Sequence, residues 1–485
     1  MAVAWIPDDK FIKGCIAFVI WWLLAVFPAF PLLPVGRTAG SVVGAALMVL
    51  LGVISPDDAF NAVNISILGL LFATMVISVF MERAKAFDCL TLLLSWRTQG
   101  GVDLLCRVCL VAAVSSAVFT NDSTCVVLTS FVLKLCRKKN LNPKPFLIAL
   151  ACSANIGSAA TPIGNPQNLV IAVQGKLGFG QFVLGVLPAV TVGFALNTLG
   201  LLLIYGRSLS LKPCEGFGES IYSTDEGDPE TRLLRPSRSL DIESGDGPEE
   251  CTAGEDISGG SGFKISRRAK KFLEEHRKVI GKSLFFLSIV SVWILGATLQ
   301  VFESGVGLPW TAITAAMVLT VVDFSDATVT LDKVSYSILV FFSGMFITVE
   351  AFNRTGAPAQ FWSAVEPYSR IDSKGGMVIL SIVVTFLSNV ASNVPTVLLL
   401  GPKIAASAVA TSGARPDEAW LLLAWVSTVA GNLTLVGSAA NIIVCEKARC
   451  EPRISYNLSF LEHLKYGFLS TLVIIIVGLP CVNLF

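Results

Sequence analysis

The sequence predicts an all-α polytopic membrane protein made of two inverted-topology repeats. Three observations lead there. Of 485 residues, 53% are hydrophobic and 15% charged, with a mean hydropathy of +0.71, whereas soluble domains carry about 25% charged residues. The apolar residues gather into segments of bilayer length. The two halves of the chain also repeat each other's polar interruptions in the same order.

A hydrocarbon core about 30 Å thick takes about 20 mostly apolar residues to cross as a helix. Such segments run roughly over 12–31, 38–54, 65–82, 145–174 and 181–205, then over 283–302, 309–323, 336–352, 419–446 and 464–484. They predict about ten transmembrane helices. Asp8 and Asp9 offset Lys10 and Lys13 ahead of the first segment, and no small-residue cleavage site follows. The segment therefore reads as a retained span. Two further apolar stretches, 103–136 and 376–411, are broken by Thr120-Asn121-Asp122-Ser123-Thr124 and by Ser388-Asn389-Val390-Ala391-Ser392-Asn393-Val394-Pro395. The arm from Ser123 to Cys136 reaches about 21 Å as a helix, short of a full crossing. Two short arms around a polar tip predict a re-entrant hairpin, which survives at membrane depth only when buried in protein or lining a cavity.

Residues 207–279 form the long polar stretch that separates an N-terminal repeat (1–206) from a C-terminal one (280–485). The stretch is rich in Ser, Gly and acids up to Asp256, then basic at Lys264, Arg267, Arg268, Lys270 and Lys271. The acidic part reads as disordered and the basic part as a segment for an anionic membrane surface. Placing this linker in the cytoplasm puts most of the 36 basic residues on one side, as the positive-inside rule requires. Both termini then lie outside. Residues 86–97 and 357–370 read as interfacial amphipathic helices.

The two halves match at a nearly constant offset. Ile65-Ser66-Ile67-Leu68 aligns with Tyr336-Ser337-Ile338-Leu339, and Arg83 with Arg354. Asn121 and Thr124 align with Asn393 and Thr396, Gly164 and Asn168 with Gly437 and Asn441. An odd number of spans per half turns the second copy upside down, the architecture of secondary transporters. The repeat also pairs two broken helices, one interrupted over 155–166 and the other over 431–438. Gly and Pro there free backbone groups that lipid cannot satisfy. Half-helix ends meeting at the midplane are binding groups for a substrate and a coupling ion.

Overall charge is balanced, 36 Lys+Arg against 35 Asp+Glu, which gives no reason to expect a nucleic-acid partner. Two histidines, His276 and His463, are too few for a histidine metal centre or Ser-His-Asp chemistry. No metal and no cofactor is expected. Cys106 and Cys109 form a lone CxxC, read as two small residues on one helical face, and twelve cysteines in so long a chain are not a disulfide framework. No nucleophile–base pair sits among the spans, so the chain is not expected to be an enzyme.

The residues at the two tips and at 154–168 (Ala154-Asn155-Ile156-Gly157-Ser158-Ala159-Ala160-Thr161-Pro162-Ile163-Gly164-Asn165-Pro166-Gln167-Asn168) resemble those of the ion-transporter superfamily. Within it they look most like the arsenical-pump permease branch. With its long acidic linker the chain is most similar to the plant silicon (silicic acid) efflux transporters. The resemblance covers both halves outside the linker. It implies an elevator-type carrier in the plasma membrane, exporting silicic acid in exchange for entering protons, and its relatives imply a homodimer. Sodium-coupled dicarboxylate relatives carry Ser-Asn-Thr at both tips; here Asp122 stands where the first tip has a hydroxyl, and the second reads Ser392-Asn393-Val394.

Asp122 is the one carboxylate placed at mid-membrane depth, where acids are expensive unless used. Burial opposes its charge while the helix beginning beside it favours that charge. It is the candidate proton-coupling residue, with helix capping as the alternative role. The candidate substrate-binding residues are Thr120, Asn121, Asn155, Thr161, Asn165, Asn168, Ser388, Ser392, Asn393, Asn432, Ser438 and Asn441. Their amides and hydroxyls both donate and accept, which suits a small neutral hydroxide such as silicic or arsenous acid. No Lys or Arg lies in either tip or break, which speaks for a neutral substrate. Gly157, Gly164 and Gly437 read as positions where the backbone needs room. Inorganic-anion efflux and a passive channel are the alternatives on the same scaffold.

Overall fold

The computed structural model describes residues 9–26, 36–83, 94, 100–210, 308–322, 327–412, 415–451 and 456–482. Among these residues every regular element is a helix. The first half holds α1 (Asp9–Val26), α2 (Arg37–Leu50), α3 (Pro56–Ala62), α4 (Ile65–Arg83), α5 (Gly100–Phe119), α6 (Asn121–Lys138), α7 (Lys144–Ser158), α8 (Pro166–Gln174) and α9 (Phe179–Ser210). The second holds α10 (Leu308–Val322), α11 (Ala327–Leu331), α12 (Tyr336–Arg354), α13 (Ala357–Val365), α14 (Lys374–Ala391), α15 (Asn393–Ser412), α16 (Pro416–Ala430), α17 (Ala439–Cys450) and α18 (Phe460–Gly478). The expected span at 283–302, the linker beyond Ser210 and all of 86–97 except Leu94 lie outside the described residues.

The chain is a polytopic membrane protein of two repeats. Six helices among the described residues, α5, α9, α12, α14, α15 and α18, are each long and apolar enough to cross a bilayer. The starts of α2, α3 and α4 recur 271 residues later as the starts of α10, α11 and α12. The pairs α6/α15, α7/α16 and α8/α17 follow at offsets of 272, 272 and 273. Packing obeys the same symmetry with the halves exchanged: α12 lies on α2, and α4 lies on α10. Each repeat thus supplies half of its partner's scaffold.

Central to this arrangement are α7 and α16, which are buried on every side; Pro145 to Ser158 and Ala419 to Ala430 are buried without exception. A helix apolar all round belongs inside a bundle rather than on its surface. The chain then unwinds after each of them, over 159–165 and 431–438, before α8 and α17 resume. The first break is shorter than its sequence suggests, because Asn155 to Ser158 complete the last turn of α7. Interior residues with good partners keep their helical bonds whatever their propensity.

The hairpins are α5/α6 and α14/α15. Their arms are longer than expected: α6 starts at Asn121 and runs to Lys138, 18 residues, or about 27 Å at 1.5 Å per residue. A single residue makes each tip. Thr120 and Ser392, equivalent in the repeat, have φ of 81° and 78°, with ψ of 149° and 157°. That region is otherwise glycine territory and costs about 1–3 kcal/mol for a residue with a Cβ. Both tips therefore store strain that the surrounding contacts must hold.

Close approach explains two of the singled-out glycines. A Cβ on Gly157 would run into the backbone of Ala113 on α5, and one on Gly164 into the carbonyl of Ser158. Neither neighbour is a flexible side chain that could yield. Gly157→Ala and Gly164→Ala are each expected to destabilise the fold by about 1–3 kcal/mol through overpacking, read as a lowered midpoint of thermal unfolding in detergent. Gly206→Ala, which meets nothing nearby, is the control expected to leave that midpoint unchanged.

Candidate functional site

Breaking a helix inside a bilayer leaves carbonyls that need donors from the protein itself. Here asparagines supply them, and in a repeated way. Asn168 Nδ2 donates to the carbonyls of Ser158 and Thr161, both at 3.1 Å. Its equivalent Asn441 donates to Gly431 and Thr434, at 2.8 and 3.0 Å. Each asparagine closes its own break across the same spacing. Thr161 Oγ1 then ties the first break to the α5 carbonyl of Ala117, at 2.7 Å. Thr434 Oγ1 does so for the second break through Asn389 Oδ1 on α14, at 2.8 Å.

The breaks are also clamped to each other. Asn155, 1% exposed, donates through Nδ2 to Asn432 Oδ1 (2.8 Å) and Asn441 Oδ1 (3.0 Å). Its Oδ1 accepts from Asn121 Nδ2 (3.0 Å) and Ser438 Oγ (2.9 Å). All four hydrogen-bonding positions of this amide are filled. Thr428, its equivalent on α16, reaches the opposite way: it donates to Asn168 Oδ1 at 3.1 Å and accepts from Asn165 Nδ2 at 3.3 Å. Behind the clamp, buried His463 on α18 bonds the Asn432 carbonyl through Nε2, at 3.0 Å. A carbonyl only accepts, so Nε2 carries the proton.

In front of the clamp lies a cavity of about 500 Å³. The hairpins and breaks present four helix N-terminal ends to it, α6 with Asn121 and Asp122, α8 with Pro166 and Gln167, α15 with Asn393 and Val394, and α17 with Ser438 and Ala439, and α2 adds its own with Arg37 and Thr38. Helix N-termini carry partial positive charge and free N–H groups, which together favour oxygen-rich or anionic ligands. Ser392 and Gly437 complete the polar wall, and Trp21 and Phe342 form part of the opposite one. The buried Asp122 Oδ1, Asn393 Oδ1 and Trp21 Nε1 have no hydrogen-bond partner in the protein. Unpaired buried polar atoms are costly, and all three belong to residues that line this cavity.

Of the residues singled out from sequence, Asn121, Asp122, Ser392, Asn393, Gly437 and Ser438 line this cavity. Asn155, Asn165, Asn168, Asn432 and Asn441 lie in the clamp, and Thr161 bonds the carbonyl of Ala117. Thr120 borders a small crevice with Thr74 and Ser78 of α4. Ser388 is buried, its Oγ without a partner, and is not part of the cavity wall.

One expectation needs correction, and Asp122 has company: Glu446 of α17 lines the cavity too. The absence of cations from the tips and breaks does not leave the cavity without one, because Arg37 enters its wall from the start of α2. Arg37 lies just ahead of the apolar segment at 38–54, and nothing local in the sequence marks it out. Thr428, in contrast, is recoverable by adding to Asn155 the 273-residue offset that relates Asn168 to Asn441. Trp21 packs in the buried core against Gly44 and also lines the cavity.

The clamp makes a sharp prediction. Asn155→Ala orphans partners on three segments, at about 1–3 kcal/mol for each buried group left unpaired. Asn155→Asp keeps the acceptor but loses both donors. Both variants are expected to lower the thermal midpoint in detergent by more than Thr428→Val does, since Thr428 serves fewer partners.

The family model for citrate transporters matches residues 16–430. The chain is 49% identical to the silicon efflux transporter LSI3 of Oryza sativa subsp. japonica, covering 100% of this chain and 99% of that one. It is 33% identical to the putative transporter arsB of Dictyostelium discoideum, over 93% of this chain and 88% of the other. Among solved structures, the YdaH transporter of Alcanivorax borkumensis aligns over 96% of each chain at 14% identity, with a TM-score of 0.49.

Proposed function

Because the chain belongs to the citrate transporter family, and is therefore a membrane transporter, we propose that it exports silicic acid across the plasma membrane in exchange for protons. The observation that carries this reading is Asp122. It is a carboxylate at the tip of a hairpin, bordering the cavity, with a buried oxygen that no protein group satisfies. Such an oxygen can be paired by a proton or by a hydroxyl of the substrate, one excluding the other, which is the logic of exchange.

The wall suits silicic acid on chemical grounds. Four hydroxyls need both donors and acceptors, which Asn121, Ser392, Asn393 and Ser438 offer together with the N–H groups of the helix ends. Arg37 removes the argument for a neutral substrate from missing cations. The balance replaces it: one guanidinium faces two carboxylates, so no surplus positive side chain calls for an anion. The full-length similarity to a silicon efflux transporter points the same way. Arsenous acid offers similar hydroxyls, and the likeness to the putative transporter arsB supports it as a second substrate.

In this reading the hairpins, breaks and clamp form the moving unit of an elevator, and α1 to α4 with α10 to α13 form the scaffold. The linker lies in the cytoplasm, both termini lie outside, and two copies associate. Purified protein in liposomes provides the test. With a lumen more acidic than the bath, wild type is expected to accumulate silicic acid to about tenfold per pH unit for one exchanged proton, since a unit of pH is 1.36 kcal/mol. A protonophore should abolish that accumulation, and Asp122→Asn should lack it. Transport of citrate or sulfate without any flux of silicic, germanic or arsenous acid would refute the proposal.

A further inference from the structure

We infer that Arg37 is a latch on the scaffold that holds the moving unit whenever that unit carries neither proton nor substrate, and so prevents leakage. This rests on the proton-exchange reading above. The residue sits at the first position of α2, a poor place for a cation, because helix N-termini repel positive charge. Its side chain lines the same cavity as the carboxylates of Asp122 and Glu446, whose charges act on it.

Those partners belong to a different part of the molecule. Helix α2 packs mainly on α1 and α12, whereas α6, bearing Asp122, packs on α5, α7 and α17, and α17 bears Glu446. The attraction therefore crosses the boundary between scaffold and hairpin unit. Besides Arg37, the titratable groups facing Asp122 are Glu446 across the cavity and Cys125 on its own helix. Of these, Arg37 is the one cation.

Exchange requires a rule: the carrier crosses with a proton or with substrate, and stays put with neither. Arg37 supplies it. With Asp122 ionised and nothing bound, moving the hairpin unit would pull a carboxylate away from its guanidinium into a region of low dielectric, where separating charge is costly. Proton binding neutralises Asp122 and releases the hold. A bound hydroxide substrate releases it differently, by donating to the carboxylate and standing between it and Arg37.

The test separates leakage from loss of function. In the liposome assay Arg37→Gln is expected to lose accumulation, from about tenfold per pH unit to none, while a downhill silicic acid flux, slowed or not, stays measurable. Arg37→Lys, which retains the charge, is expected to restore accumulation. Arg37→Met repeats the measurement should Arg37→Gln fail to insert. The latch is overturned if the uncharged variants concentrate substrate as wild type does, or if correctly inserted variants lose downhill flux as well. Failure of the wild type itself to concentrate substrate would instead refute proton exchange.

Discussion

A backbone carbonyl released at the centre of a bilayer has no water to bond, and this constraint governs the whole interior. Two helices unwind to bring the N-terminal ends of α8 and α17 to one cavity, and each unwinding strands carbonyls that only protein donors can reach. Asparagine is the economical answer, since one amide supplies two donors and still accepts. Asn168 and Asn441 close their own breaks, while Asn155 and Thr428 join the two. The strained tips at Thr120 and Ser392 are held by the same assembly; the backbone N–H of Asn121, for instance, donates to the carbonyl of Gly164 at 2.9 Å. Without the clamp, neither the cavity nor the hairpins that border it would keep their shape.

The clamp also divides polar residues into two kinds that look alike in sequence. An asparagine whose four positions are filled by protein, like Asn155, has nothing left for a solute. One with an orphaned oxygen at the cavity, like Asn393, does. Composition and spacing cannot separate these, because both kinds occupy the same motifs. Fold and repeat were far more legible: a span needs length and apolarity, and a duplicated pattern needs only a constant offset. The tip positions were visible for the same reason, as polar runs inside apolar ones.

What escaped was carried by long-range assembly. Arg37 stands among ordinary helix-start residues, and its importance comes from α2 packing on α12, roughly three hundred residues away. Glu446 sits in a polar C-terminal half-helix that reads as leaving the membrane. The arms of the hairpins exceeded their expected length because helix ends follow capping and packing more than hydropathy. Capping shows this at α6, where the Thr120 side chain accepts from the Ser123 backbone at 3.3 Å. Charge at the cavity is a property of the packed molecule, and sequence reported only the charges of its separate segments.

The bonds that cross between the repeats bear on how the protein is made. Until residues near 428–441 leave the ribosome, Asn155 has an amide with two missing acceptors and one missing donor, and Asn165 and Asn168 lack their far partner. The first repeat is thus delivered to the membrane with its centre unsatisfied. The 73-residue stretch at 207–279 lengthens that interval at a translation rate of about 5–20 residues per second. The half-built molecule must therefore wait for about 10–50 seconds at that rate, held by lipid, water or the insertion machinery, before its second half arrives to complete it.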